Sequence, residues 1–217
     1  MQKHAFPVQR TAHVYTLGQP GPLVCNLILA CHGYGQAAER FVRKFDGIAG
    51  DDTLVVAPEG LSRFYWGGFD GEVVASWMTR GDRLDEIADY SAYLSQLIAH
   101  FLPQCAPNAQ LILFGFSQGC ATIMRWAVRA QPDATHLVFW AGSIPEDIDY
   151  SPLLPYFAGR HLHSFVGDED PFLTPEAVAA HQAMLAQKEL TVQQHSFAGK
   201  HTVVRSVLNN WYETVKR

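Results

Sequence analysis

The run Leu111-Ile112-Leu113-Phe114-Gly115-Phe116-Ser117-Gln118-Gly119-Cys120 decides how the chain is read. Its opening, Leu111 to Phe114, is apolar without alternation, which predicts a strand covered on both faces. A Gly-x-Ser-x-Gly element follows directly, and Cys120–Ala130 then reads as helix. A sharp turn between strand and helix forces the serine into a strained backbone conformation. Side chains at positions 115 and 119 would strike the neighbouring strand and helix, so glycine suits both. The hydroxyl is lifted clear of the sheet, and the helix N-terminus beneath it favours negative charge. Ser117 is therefore the candidate nucleophile.

Working outward, similar short apolar runs occur at Leu23–Ala30, Leu54–Ala57, His136–Trp140, His161–Val166 and Val192–Phe197, with an extra strand near His13–Leu17. Helical patterns separate them. From Asp82 to Phe101, Leu84, Ile87, Ala88, Leu94, Leu97, Ile98 and Phe101 form one apolar stripe, with Asp82 placed to cap it. Thr174-Pro175-Glu176 has the residue types of a helix start: a capping hydroxyl, a proline whose missing N–H does no harm, and an acid at the positive end of the dipole. Val203, Val204, Val207, Leu208, Trp211, Tyr212 and Val215 stripe a C-terminal helix. This alternation predicts a doubly wound, mostly parallel sheet flanked by helices, within a single domain over 1–217. Ligand sites in such sheets lie beyond the carboxyl ends of the strands.

Two segments at those ends carry the partners a serine needs, a base and an orienting acid. Gly167-Asp168-Glu169-Asp170-Pro171 follows one strand and Ala198-Gly199-Lys200-His201 follows the next. Asp170 is preferred as the acid because Pro171 biases it toward an extended backbone, leaving Asp168 to serve the turn. Asp147, past the preceding strand, is a weaker alternative. Among ten histidines, His201 sits on a loop entering a helix, with Gly199 allowing close approach. His32 adjoins a glycine turn and is assigned to shaping it. His161, His163 and His195 lie inside strands and read as structural; His4, His13, His100, His136 and His181 have no catalytic context.

Cys31-His32-Gly33-Tyr34-Gly35 ends an early strand, where a second amide can face the reacting oxygen. The expected oxyanion donors are the backbone N–H groups of Tyr34 and Gln118. Between Pro58 and Asp82 runs an aromatic, glycine-rich stretch that includes Phe64, Tyr65, Trp66, Phe69, Trp77 and Met78. It is expected to overhang the site, either lining the acyl or alcohol pocket with Trp66, Trp77 and Met78 or only covering the end of the sheet.

Composition narrows the field. The 217 residues are 48% hydrophobic and carry a net charge of −5 with no Lys/Arg-rich run, which argues for a packed globule and against polyanion partners such as nucleic acid. The N-terminus lacks the apolar core of a signal peptide, and no apolar run is long enough to cross a bilayer. The four cysteines form no C-x-x-C pair and read as buried reduced thiols, so a cytoplasmic setting is expected.

Taken in order, His32 through Gly35, Gly115 through Gly119, Gly167 through Pro171 and Gly199 through His201 resemble the carboxylesterase/phospholipase branch of the α/β-hydrolases, which includes the acyl-protein thioesterases. The resemblance spans nearly the whole chain, and Gly-Phe-Ser-Gln-Gly is its most specific piece. It implies an α/β-hydrolase fold without a large cap domain, a Ser117–Asp170–His201 triad, oxyanion amides from Tyr34 and Gln118, and no cofactor or metal. The chain departs from the family pattern at Gln36, where an acid is common, and at Ser76-Trp77-Met78-Thr79, which replaces a Trp-Phe-Asp element. Both departures fall around the pocket, away from the triad.

The expected chemistry is acyl transfer through Ser117 to water, on a small-molecule carboxylic ester of short to medium acyl chain. Thioesters and lysophospholipids are the nearest alternatives. A non-enzymatic receptor on the same scaffold is the rival from another class. A metallohydrolase has no ligand motif behind it. Homodimer formation is left open by the sequence.

Overall fold

The computed structural model describes residues 1–217. Its elements in chain order are β1 (Val14–Leu17), β2 (Asn26–Cys31), α1 (Ala38–Val42), β3 (Thr53–Pro58), β4 (Ser62–Trp66), β5 (Glu72–Ser76), α2 (Arg83–Phe101), β6 (Gln110–Phe116), α3 (Gln118–Ala130), β7 (Ala134–Trp140), α4 (Leu154–Phe157), β8 (His161–Gly167), α5 (Pro175–Gln187), β9 (Val192–Phe197) and α6 (Arg205–Val215). Seven strands form one sheet in the order β1-β3-β2-β6-β7-β8-β9. Only β1 runs antiparallel to its neighbour; all the other pairs in this sheet are parallel. The expected doubly wound sheet is present, and no helix is long and apolar enough to cross a membrane.

The central strands are apolar throughout because both of their faces are covered. Leu27, Leu29, Leu111, Leu113, Leu137 and Phe139 point to the side of α2 and α3. Ile28, Ala30, Ile112, Phe114, Val138 and Trp140 point to the side of α1 and α6. Each fully buried large side chain contributes about 1.5–3 kcal/mol from lost apolar exposure, so these strands make a rigid floor. A floor of this kind is what a site at the strand ends requires.

Several expectations need correction. The strand expected at Leu23–Ala30 begins only at Asn26, after a turn closed by Val24 N–H on Gly21 O. Asp82 precedes α2 but does not cap it: its φ of 53° lies in the left-handed region, with no side-chain cap bond, and its carboxylate pairs with Lys3 instead. Leu84 on the expected apolar stripe of α2 is exposed, because that end of the helix runs past the core. The aromatic stretch after β3, to which no element was assigned, carries regular structure. It contains the hairpin β4–β5, in which Phe64 pairs with Val74 and Tyr65 with Val73. Thr174, by contrast, caps α5 as expected, its hydroxyl accepting the Ala177 N–H at 3.3 Å.

Candidate active site

The site grows from the junction of β6 and α3. Ser117 stands between them at φ 52°, ψ −115°, outside the ordinary regions for an L-residue. Its amide donates to Trp140 O at 2.9 Å, which pins the turn to β7. A side-chain carbon at Gly119 would lie 2.1 Å from Cys31 O on β2; one at Gly115 would lie 2.4 Å from Gly119 O. Close approach of three backbones therefore demands both glycines, and the strain at Ser117 is held by contacts it cannot relax.

Loops after β8 and β9 meet at this turn. The His201 Nδ1 lies 2.7 Å from Asp170 Oδ2, and its Nε2 lies 3.0 Å from Ser117 Oγ. The Asp170 side chain is fully buried, while the imidazole is about one-fifth exposed. Asp170 uses its second oxygen, Oδ1, to accept the Phe172 N–H at 2.9 Å. The competing acids are occupied elsewhere: Asp168 Oδ1 accepts the Gly199 N–H at 2.9 Å, closing the turn that presents His201. Asp147 lies between Arg83 and Arg125, at 2.9 Å and 2.5 Å. Two aromatic rings flank the imidazole, Phe116 at 5.0 Å and Phe172 at 4.8 Å between centroids. The sequence reading did not single out either ring; spacing alone carries no signal for a ring that reaches back over a loop.

The turn after β2 lies beside Ser117. Gly33 packs so tightly there that an added carbon would sit 3.2 Å from the serine Cβ. The Tyr34 amide makes no hydrogen bond, and the Gln118 amide, first in α3, has no acceptor within the helix. Both are thus free to face an oxygen at Ser117. His32 is fully buried, and burial pushes its pKa down to about 4. Its Nε2 accepts the Gly60 N–H at 3.0 Å and its Nδ1 faces Gly33 O at 2.7 Å, so the ring is neutral with its proton on Nδ1. Gln36 has a definite use: its Oε1 accepts the Gly33 N–H at 2.8 Å, an uncharged acceptor that braces the turn.

Of the expected pocket residues, Trp66 is half exposed and rests on Gly35, with Tyr34 and Phe64 beside it. Met78 is half-buried. Trp77 turns inward at 2% exposure and packs against His32 and Tyr90, so its ring is no pocket wall. On the other side, a cavity of about 600 Å³ between α5 and β8–β9 reaches Gly142 and Ser143, immediately behind the Ser117 turn.

The family described as Phospholipase/Carboxylesterase matches residues 19–216, nearly the full length. The chain belongs to the phospholipase/carboxylesterase family. It is therefore of a hydrolase family with an α/β-hydrolase-like fold, as the resemblance implied. Among solved structures, the Zea mays acyl-protein thioesterase 2 superposes with a TM-score of 0.70 at 16% identity, covering 94% of this chain and 99% of its own. Esterase PE8 superposes at 0.67 with 18% identity, covering 95% and 100%. The Bacillus cereus carboxylesterase gives 0.66 at 11% identity, covering 94% of each chain. At these identities the likeness of this phospholipase/carboxylesterase family chain to them is one of fold. No curated protein matches it in sequence.

Proposed function

We propose that the chain is a serine esterase that hydrolyses carboxylic esters of short to medium acyl length through an acyl-enzyme on Ser117. The observation that carries this reading is the unbroken contact series from Asp170 Oδ2 through the His201 ring to Ser117 Oγ, at 2.7 Å and 3.0 Å. A serine hydroxyl needs a base within hydrogen-bond reach, and the base needs a fixed orientation. His201 takes the Ser117 proton as Oγ attacks the ester carbon, and the Tyr34 and Gln118 amides hold the oxygen that becomes negative. His201 then gives that proton to the leaving alcohol, and water repeats the sequence on the acyl-enzyme. Asp170 faces the other ring nitrogen and balances the imidazolium formed in between.

The alcohol is assigned to the open side bordered by Trp66 and Tyr34. Turnover of a graded series of acyl esters and matching thioesters tests the reading. We expect hydrolysis of oxygen esters with an optimum at short to medium chains, abolished by Ser117→Ala. Activity on thioesters alone would shift the assignment to a thioesterase; small-molecule binding without turnover would make it a receptor.

A further inference from the structure

The two amides assigned to the oxyanion lie on separate elements, one on the turn after β2 and one at the start of α3. Their spacing must be held by something, since a misplacement of about 1 Å costs on the order of 100-fold in rate. The end of β5 and the residues after it touch both. On the turn side, Gly35 N–H donates to Ala75 O at 3.0 Å and Ala75 N–H donates to Gln36 O at 3.0 Å, bracketing the turn. The Trp77 indole N–H adds a bond to His32 O at 2.9 Å. On the α3 side, the Gln118 side chain accepts the Trp77 backbone N–H at 3.1 Å and donates from Nε2 to Met78 O at 2.9 Å. Ser76 Oγ sits 3.3 Å from the same amide group.

Resting on the acyl-transfer reading above, we propose that Trp77 is a positioning residue that fixes the distance between the Tyr34 and Gln118 amides, bonding the turn of one through its indole and the side chain of the other through its backbone. The choice of tryptophan follows from the geometry. An indole puts a donor at the rim of a large rigid ring, and here that ring is wedged against His32 at 5.2 Å and Tyr90 at 6.1 Å. With 2% exposure it has no freedom to swing, so the bond to His32 O is held by packing as well as by its own strength. The residue after the nucleophile thereby gains a second task. Its amide is assigned to the oxyanion, and its side chain ties that amide to the brace.

Two substitutions test this. Trp77→Phe keeps a buried ring and removes the indole donor. Gln118→Met keeps the length of a half-buried side chain and removes both of its polar ends, and the thermal midpoint reports what the lost bonds cost the fold. Ester turnover, thermal midpoint and inhibition by a trifluoromethyl ketone are measured for each. The ketone adds Ser117 Oγ at its carbonyl carbon while His201 takes the serine proton, leaving an alkoxide in the oxyanion site.

We expect kcat to fall by about 10- to 100-fold in each variant, with the ketone's inhibition constant rising by the same factor. KM should stay within about twofold, since binding of the neutral ester does not use these amides fully. A lower thermal midpoint with unchanged kcat and ketone affinity in both variants would reduce Trp77 to a packing residue and overturn the proposal. A rise in KM at constant kcat would also overturn it, because the brace would then act on ground-state binding. If the wild type opens no ester at all, the functional reading fails and takes the brace with it. Wild-type turnover with unaffected variants sinks the brace alone.

Discussion

At the carboxyl ends of β8 and β9, His201 has a carboxylate on one ring nitrogen and a hydroxyl on the other. Farther down the same strands, on the face toward α6, His163 lies between two more imidazoles: His136 Nδ1 at 3.1 Å from its Nε2 and His195 Nε2 at 3.3 Å from its Nδ1. His161 stacks on His136 at 4.9 Å, and Trp211 closes the group with its edge toward His163. Each nitrogen–nitrogen contact accepts a single proton between the rings. Three neutral rings satisfy both contacts, and so does one charged ring, but two charged rings cannot. The residue type is shared; the partners decide what it can do. An imidazole facing a buried carboxylate is equipped to take a proton during a reaction, and imidazoles facing each other are driven to stay neutral.

The largest difference between the two groups should appear in catalysis. We expect His201→Ala to reduce ester turnover on the order of 10⁶-fold, as does loss of the nucleophile or base in comparable triads. His163→Gln should leave kcat within about tenfold, since it touches no reacting atom. Steady-state kinetics on one ester settles the contrast, and equal losses at the two positions would break it. Next in size, Asp170→Asn removes the carboxylate while keeping the shape, and we expect about a 10⁴-fold loss in kcat. Asp168→Asn keeps an oxygen for the Gly199 N–H and should cost less than about tenfold. Reversal of that order would exchange the roles of the two acids.

Acid stability separates the groups in another way. Burial, followed by the charge of neighbouring imidazoles, holds His136 down to about 4 and His163 to about 3, and burial lowers His195 as well. In the unfolded chain these side chains titrate near 6.5. The unfolded state therefore binds more protons between pH 6.5 and about 3, and their effect on stability grows as the pH falls through that window. We expect the thermal midpoint to be flat above about pH 6.5 and to drop steadily below it. His163→Gln, which keeps polar contacts without a titrating ring, should give a shallower drop. An unchanged slope would remove this group from the acid response. Smallest is a local effect: Thr174→Ala, which loses the cap on α5, should cost about 1 kcal/mol in denaturant unfolding without altering kcat.

How much could be read beforehand follows from where each signal resides. The turn at Gly115–Gly119 was legible because its chemistry is local: the strand, the glycines and the helix start are contiguous. The convergence of Ser117, Asp170 and His201 was legible as an order of segments after successive strands, once a parallel sheet had been assumed. Trp77 was misplaced because an aromatic residue near a site reads alike whether it lines a pocket or is buried beneath it. Its inward turn depends on His32 and Tyr90, which are distant in sequence. Asp82 failed as a cap for a similar reason, its pairing with Lys3 being a contact across the chain. The histidine group needed register: His136 stands opposite His161, while Val138 faces His163 and Phe165 faces His195. Those pairings emerge only when the strands are laid side by side. The hairpin β4–β5 went unassigned because the glycines at its tip interrupt the strand pattern, although Phe64 and Val74 pair within it.

The measurement that bears most directly on the account is the site of covalent capture by a fluorophosphonate ester, mapped by mass spectrometry of the digested protein. The expected result is a single adduct on the peptide bearing Ser117 in the wild type, lost in Ser117→Ala and nearly lost in His201→Ala. An adduct on another residue, or capture at Ser117 that proceeds equally well without the His201 imidazole, would contradict it.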